Sequence, residues 1–180
     1  MAALRIVAET EISPVLDAAI RASLCTCFAP DREVYTHTRA WHGTFPTWSV
    51  VMEHGEAVIA HAGIVEREIR AGTTPIRVAG VQNVLVLPEF RGQGLFRQVM
   101  CAAMEEARRR GLDLGLLFCT PEIGRKYTRL GWLLLTGRQV TRIDEHGRAQ
   151  PLPAKNVTMF YGLRLEAVPP GDLHLQGNDW

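Results

Sequence analysis

The sequence predicts an α/β fold laid around a mixed sheet, and three observations carry that expectation. Apolar runs of strand length alternate with segments whose apolar residues recur at helical spacing, in the order β-α-loop-ββ-β-α-β-α-β-β. The apolar run ending Val84-Leu85-Val86 leads through Pro88 into a turn bearing Gly92 and Gly94, and an amphipathic helical pattern starts at once behind it. With 180 residues, 47% hydrophobic and 22% charged, the chain is large enough to bury one core, and residues 1–180 read as a single domain.

The elements follow in order. Leu4–Val7 is a short apolar run and reads as a strand. Ser13-Pro14 has the look of an N-cap with proline at the first helical position, and Leu16, Ala19, Ile20 and Leu24 share one face of the helix behind it. From Phe28 to Pro46 turn residues, charges and aromatics mix, which predicts a loop or short helix of the kind that holds substrate contacts. Ser49–Glu53 and Ala57–Val65 are β-rich and meet at His54-Gly55-Glu56, a hairpin pattern. His61 lies in the second of these strands and reads as a packed or surface histidine rather than a catalytic one.

Gly72-Thr-Thr-Pro75 marks a further turn, and Ile76–Leu87 a long strand in which Gly80 is expected to form a bulge. After the glycine turn, Phe96, Val99, Met100, Ala103 and Ala107 make an apolar helical face directed at the core. Leu114–Cys119 is a strand. Glu122–Leu130 is a modest helix ended by Gly131. Leu133–Leu135, Val140–Ile143 and Met159–Leu165 supply later strands, and Pro151, Pro153, Pro169 and Pro170 interrupt the tail.

Charge and composition exclude several functions. A formal net charge of +1 argues against a nucleic-acid partner. The run Arg108-Arg109-Arg110 sits where cations complement a helix C-terminus and reads as a solvated last turn. No apolar run approaches a membrane span, and the N-terminus lacks a charged head followed by an apolar stretch, so a cytoplasmic location is expected. Cys25, Cys27, Cys101 and Cys119 lack metal-ligand spacing and read as reduced, mostly buried thiols with no metal.

The strand–glycine turn–helix segment carries the chemistry. The first N–H groups of a helix have no partner and the helix dipole favours negative charge, so this turn is an anion site suited to a pyrophosphate. It has no Lys-Ser/Thr pair for Mg-nucleotide chemistry, and Gln98 stands where a dinucleotide fingerprint needs glycine. What remains is Arg91-Gly92-Gln93-Gly94-Leu95-Phe96 behind one strand and Tyr127-Thr-Arg-Leu-Gly131-Trp132 behind the next.

These two motifs, in this order, resemble the GNAT superfamily of acetyl-CoA-dependent N-acetyltransferases. Its helix-head signature is Arg/Gln-x-x-Gly-x-Gly/Ala, and Phe96 departs from it at the last position. More narrowly the chain is similar to the aminoglycoside 2′-N-acetyltransferases. That likeness rests on Phe28-Ala29-Pro30-Asp31, Ile59-Ala60-His61-Ala62, Arg91-Gly92-Gln93, Tyr127 through Trp132 and the final Asp179-Trp180. The resemblance implies a mixed, mostly antiparallel twisted sheet flanked by helices, with a splayed central strand pair. The strand around Val84–Val86 would part from Leu114–Cys119 to admit acetyl-CoA as cosubstrate.

The resemblance also implies roles. Backbone groups of Val84, Leu85 and Val86 would pair with the pantetheine amides as an added strand does. The Leu85 N–H would polarise the thioester carbonyl. The N–H groups from Gly92, Gln93, Gly94, Leu95 and Phe96 would hold the pyrophosphate, with Arg91 adding charge. Tyr127 would protonate the departing thiolate; without the motif it would read as a packed ring. The family's glutamate base is matched by Gln82, which cannot take up a proton, so water, His61 or Asp31 would serve instead.

Asp31, Gln82, Asn83, Asp179 and Trp180 would line the acceptor site. An acidic group expected near Thr36 is missing, which implies a less negative site and an amino-sugar antibiotic with few amines, of the kasugamycin kind. Acetylation there would confer resistance. A different small amine or a peptide N-terminus is the competing acceptor, and an acyl-CoA-binding regulatory module without turnover is the competing class. The resemblance is compatible with a homodimer.

Overall fold

A computed structural model describes residues 3–180. The elements are β1 (Ala3–Ala8), α1 (Pro14–Cys27), α2 (Arg32–His37), β2 (Trp48–His54), β3 (Ala57–Ala71), β4 (Thr74–Val86), α3 (Leu95–Arg109), β5 (Leu114–Cys119), α4 (Pro121–Thr128), β6 (Leu133–Leu135), β7 (Val140–Ile143), β8 (Ala149–Pro151), β9 (Val157–Gly162) and β10 (Leu173–His174). Ten strands form one mixed sheet, in the order β6-β9-β5-β4-β3-β10-β7-β8, with β2 on β3 and β1 on β2. Only the β4–β5 and β10–β7 pairs are parallel. The expected α/β plan with a mostly antiparallel sheet is therefore the observed one.

Local chemistry explains the helices. Ser13 accepts the Leu16 N–H at 3.2 Å, Pro14 opens α1, and Leu16, Ile20 and Leu24 are buried on its inner face. Complete burial of Ile20 and Leu24 stabilises the fold by about 1.5–3 kcal/mol each. α3 begins behind Gly94 and buries Leu95, Val99, Met100, Ala103, Met104 and Ala107. Successive strand residues face opposite sides of a sheet. On β2, Trp48, Val50 and Met52 join the α3 core while Val51 joins the α1 core, so the two helices cover opposite faces.

The sheet departs from the sequence reading at several places. β3 runs to Ala71 because β4 pairs with it down to Thr74, and β10 supplies the second neighbour of its far end. The two-residue β10 and the three-residue β8 carry no local signal; tertiary pairing recruits them. Part of the Phe28–Pro46 segment is helical, as α2. Gly80 is not a bulge. It pairs in register with Val65, and its missing side chain admits Trp180: a Cβ there would lie 2.3 Å from Trp180 Cε2. The bulge falls three residues later, where Asn83 and Val84 together face Ala62.

The arginine run is more engaged than a solvated turn. Arg109 and Arg110 both bind the buried Glu106, and Arg110 lies over the Trp48 ring at 4.9 Å. The four cysteines are unpaired, and none is fully buried; Cys101 is exposed on α3.

Candidate active site

β4 and β5 pair only from Val78/Leu114 to Gly80/Leu116. Beyond that point β4 continues to Val86 beside β3 and β5 continues to Cys119 beside β9, so the two strands diverge into an open fork. Trp180 sits at the apex. It is 4% exposed, stands on Gly80, and donates its indole N–H to Leu116 O at 3.3 Å. Arg67 lies over its ring at 5.2 Å and Phe118 against its edge at 5.3 Å. The expected parting of Val84–Val86 from β5 is thus present, with its origin at Gly80.

At the wide end of the fork lies the glycine turn. Gly92 and Gly94 have φ of +78° and +76°, conformations that cost an L-residue strain, and a Cβ at either would meet nothing within 4 Å. Arg91 N–H bonds Pro88 O, and the next backbone N–H to find a partner outside the helix is that of Gln98, on Gly94 O. Among the described residues the N–H groups from Gly92 to Arg97 therefore have no hydrogen-bond partner. Arg91 Nε donates to Val86 O at 3.2 Å and ties the turn to the end of β4. Phe96 does not narrow the turn, because its ring turns away and meets Tyr127 edge-on, 5.3 Å between centroids.

Tyr127, on α4, is 7% exposed and wedged between Phe96 and Trp132. Among the described residues no group hydrogen-bonds its hydroxyl. Burial first, and then the neighbouring Cys119, push its pKa well above the ordinary phenol value, so the hydroxyl holds its proton. Burial likewise raises Cys119 to about 11, so that thiol is neutral. Tyr127 is a proton donor without a protein acceptor.

The backbone of β4 sets which amides face the fork. Leu87 N–H donates to Ile59 O at 2.9 Å, and Leu85 lies opposite His61 two residues back along the same ladder. In an antiparallel pair alternate residues bond the partner strand, so Leu85 also turns its backbone toward β3. Its side chain is buried in the α1 core. The expectation that the Leu85 N–H polarises a thioester is corrected accordingly: that amide is spent within the sheet. The amides on the open side belong to Val84 and Val86. Val86 O is already met by Arg91 and by Cys27 Sγ at 3.6 Å, which leaves its N–H.

Gln82 and Asn83 prove to have different tasks. Gln82 is 5% exposed; its Nε2 donates to Thr44 O at 2.9 Å, and its Oε1 is buried without any partner. An orphaned acceptor of this kind favours an incoming N–H or O–H. Asn83, by contrast, is fully engaged. Its φ is +54°, its Oδ1 accepts from Tyr35 Oη at 2.9 Å, and its Nδ2 donates to Arg39 O at 2.7 Å. The expectation that Asn83 binds substrate is corrected: its amide locks the bulge to the α2 segment. Arg39 is itself fixed by Glu9 and Asp17 at 2.7 and 2.6 Å.

His61 is completely buried. Asn83 O lies 2.8 Å from Nδ1 and Ser49 Oγ 3.1 Å from Nε2. A carbonyl only accepts, so Nδ1 carries the hydrogen and Ser49 donates to Nε2. Burial lowers its pKa to about 4, partly offset by the Asn83 carbonyl. With both nitrogens used and no exposure, His61 is no general base, in keeping with a packed histidine.

Asp179 is buried, and its Oδ1 takes both His42 Nδ1 and Arg142 Nη1 at 2.8 Å. Burial raises its pKa, but His42 and Arg142 more than compensate and hold the carboxyl below its ordinary value. It is a paired anion, not a free one for a cationic acceptor. Asp31 is half-buried just ahead of α2 and close enough to raise the pKa of Tyr35. Thr36 bonds its own helix at Arg32 O. Sequence reasoning missed Tyr35, Arg39, His42 and Arg142; the aromatic content of the segment from Phe28 hinted at Tyr35 and His42 alone. Rings of Phe28, Tyr35, Trp41 and His42 succeed one another at 5.7, 6.0 and 4.7 Å and make an aromatic wall beside the bulge.

Comparisons with known proteins agree with this geometry. A family profile described as Acetyltransferase (GNAT) domain matches residues 7–135. An aminoglycoside 2'-N-acetyltransferase of Mycolicibacterium fortuitum is 37% identical over 83 residues, 46% of this chain and 42% of that protein. Glucosamine 6-phosphate N-acetyltransferase 1 of Oryza sativa subsp. japonica is 36% identical over 81 residues, 44% of this chain and 47% of that protein. The chain thus spans less than half the length of the curated relatives it matches. The crystal structure of the GNAT-family YhbS from Escherichia coli in complex with CoA shares the fold, with a TM-score of 0.66 and 19% identity over 97% of this chain and 89% of that one.

Proposed function

Because the chain belongs to the GNAT acetyltransferase family, we propose that it transfers the acetyl group of acetyl-CoA to an amino group of an amino sugar. The observation that carries this reading is the fork: free turn amides at one end, open β4 amides along one side, and the unpartnered Tyr127 hydroxyl on α4, near Cys119 at the end of β5. Turn amides from Gly92 to Phe96, with Arg91, hold the diphosphate. Val86 offers its N–H to the pantetheine arm as a strand edge would. The Val84 N–H meets the thioester oxygen, where negative charge grows during attack.

The acceptor nitrogen attacks the thioester carbonyl carbon; the C–N bond forms as the C–S bond breaks. Tyr127 gives its proton to the sulfur, and water removes the proton the nitrogen loses. The Gln82 Oε1 accepts a hydrogen from the acceptor's amine or a neighbouring hydroxyl. Aromatic faces at Trp41 and His42 suit a sugar ring. Both curated relatives bear the names of enzymes acting on amino sugars, which supports this class.

The charge of the site supports an acceptor with few amines, of the kasugamycin kind. Asp179 is paired with Arg142 and hydrogen-bonded by His42, Gln82 is uncharged, and Asp31 is the remaining carboxylate of the expected set. A thiol-release assay with acetyl-CoA across an amino-sugar panel that includes kasugamycin tests the proposal. Turnover on one or more amino sugars is expected; turnover on peptides alone overturns the acceptor class. Calorimetry showing no binding of acetyl-CoA or CoA overturns the transferase reading.

A further inference from the structure

The bulge in β4 is held from three directions, and one of the three ties decides where an amide points. Tyr35 and Arg39 grip the Asn83 side chain, while His61 donates to the Asn83 carbonyl. A trans peptide is planar, with its C=O and the following N–H on opposite sides. No cis peptide is present among the described residues. With Asn83 O turned toward His61 in the buried interior, the Val84 N–H must turn the other way, to the open side of β4. Asn83 in the left-handed region has no intrinsic reason to keep this orientation.

We propose that His61, neutral and oriented by Ser49, is a positioning residue for acyl transfer: by holding Asn83 O it aims the Val84 N–H at the thioester oxygen. The inference rests on the acetyl-CoA reading above. His61 touches neither substrate; it acts through one peptide plane. Ser49 matters because its hydroxyl, donating to Nε2, keeps the hydrogen on Nδ1 where the carbonyl needs it.

The test uses 15N-valine-labelled full-length protein and three variants. In His61→Asn the side-chain amide can still donate to Asn83 O; in His61→Leu the volume is filled with no donor; Tyr35→Phe loosens Asn83 without touching β3. In the native protein the Val84 amide resonance should shift more with acetyl-CoA than with CoA, since only the former brings a carbonyl. His61→Leu should abolish that difference and lower kcat by about tenfold to a hundredfold with acetyl-CoA affinity within about threefold of native. His61→Asn should restore the difference and most of the rate. Tyr35→Phe should reduce both, and it keeps the question open to measurement where His61→Leu does not fold. A native Val84 resonance indifferent to the acetyl group, or unchanged kcat in His61→Leu, overturns the positioning role. Absence of any acetyl-CoA binding by native protein overturns the transferase reading instead, so the two failures are distinct.

Discussion

The ring of Phe96 meets the ring of Tyr127 edge-on, with centroids 5.3 Å apart and planes at 68°. That contact joins the first turn of α3, which follows the glycine turn and its unbonded amides, to the hydroxyl-bearing helix α4. Replacing Tyr127 by Phe keeps the ring and loses no protein hydrogen bond. Thermal stability should stay near native, acetyl-CoA affinity should hold, and turnover should fall by about a hundredfold or more. Calorimetry and a thiol-release assay on the same preparation check this; an unchanged rate removes Tyr127 from the mechanism.

The other half of the contact is separable. Phe96→Ala opens a gap beside Tyr127 and should destabilise the protein by about 1–3 kcal/mol, since the ring is only partly buried. Urea denaturation reads that loss. Acetyl-CoA binding should persist, because the Phe96 backbone N–H remains.

Two glycines should fail for different reasons. A Cβ at Gly94 meets no atom, so Gly94→Ala suffers only the left-handed backbone penalty of about 1–2 kcal/mol. Relaxing that strain disturbs the amide cradle, and acetyl-CoA affinity should fall about tenfold in calorimetry. Gly80→Ala instead drives a methyl into the Trp180 indole. It should cost about 1–3 kcal/mol and shift tryptophan emission to longer wavelength as the indole leaves the fork. Unchanged emission would place the Trp180 ring elsewhere.

Gln82→Ala removes the one buried side-chain acceptor that lacks a partner among the described residues. The acceptor KM should rise by about tenfold while the acetyl-CoA KM stays level, a split that steady-state kinetics resolves.

His61 also shapes stability against pH. Its folded pKa of about 4 lies below the ordinary imidazole value of 6.5. The unfolded chain therefore binds the extra proton first as pH falls, and stability present above pH 6.5 is lost on the way down to about 4. Between pH 7 and pH 5 the loss should amount to about 2 kcal/mol from this residue. Urea midpoints at the two pH values measure it, and His61→Asn should flatten the slope.

What the sequence determined by itself is what neighbours within a few residues can encode. Ser13-Pro14 starts α1 through its own side chain, Gly92 and Gly94 permit the turn through their own φ values, and the apolar spacing of α3 fixes its buried face. The glycine turn at the head of α3 and the parting of β4 from β5 were legible for that reason, the latter through family likeness. Tertiary structure decided the rest. Asn83 and Gln82 are adjacent amides with the same local signal, yet partners 44 and 38 residues away make one structural and leave the other an open acceptor. The Leu85 amide is lost to β3 because of a bulge that no residue type announces, and the Asp179 carboxylate is occupied by His42, 137 residues distant, and by Arg142. Each polar group has few hydrogen-bonding sites, and which partner lies within reach of them is set by the packing of the whole sheet rather than by the order of the chain.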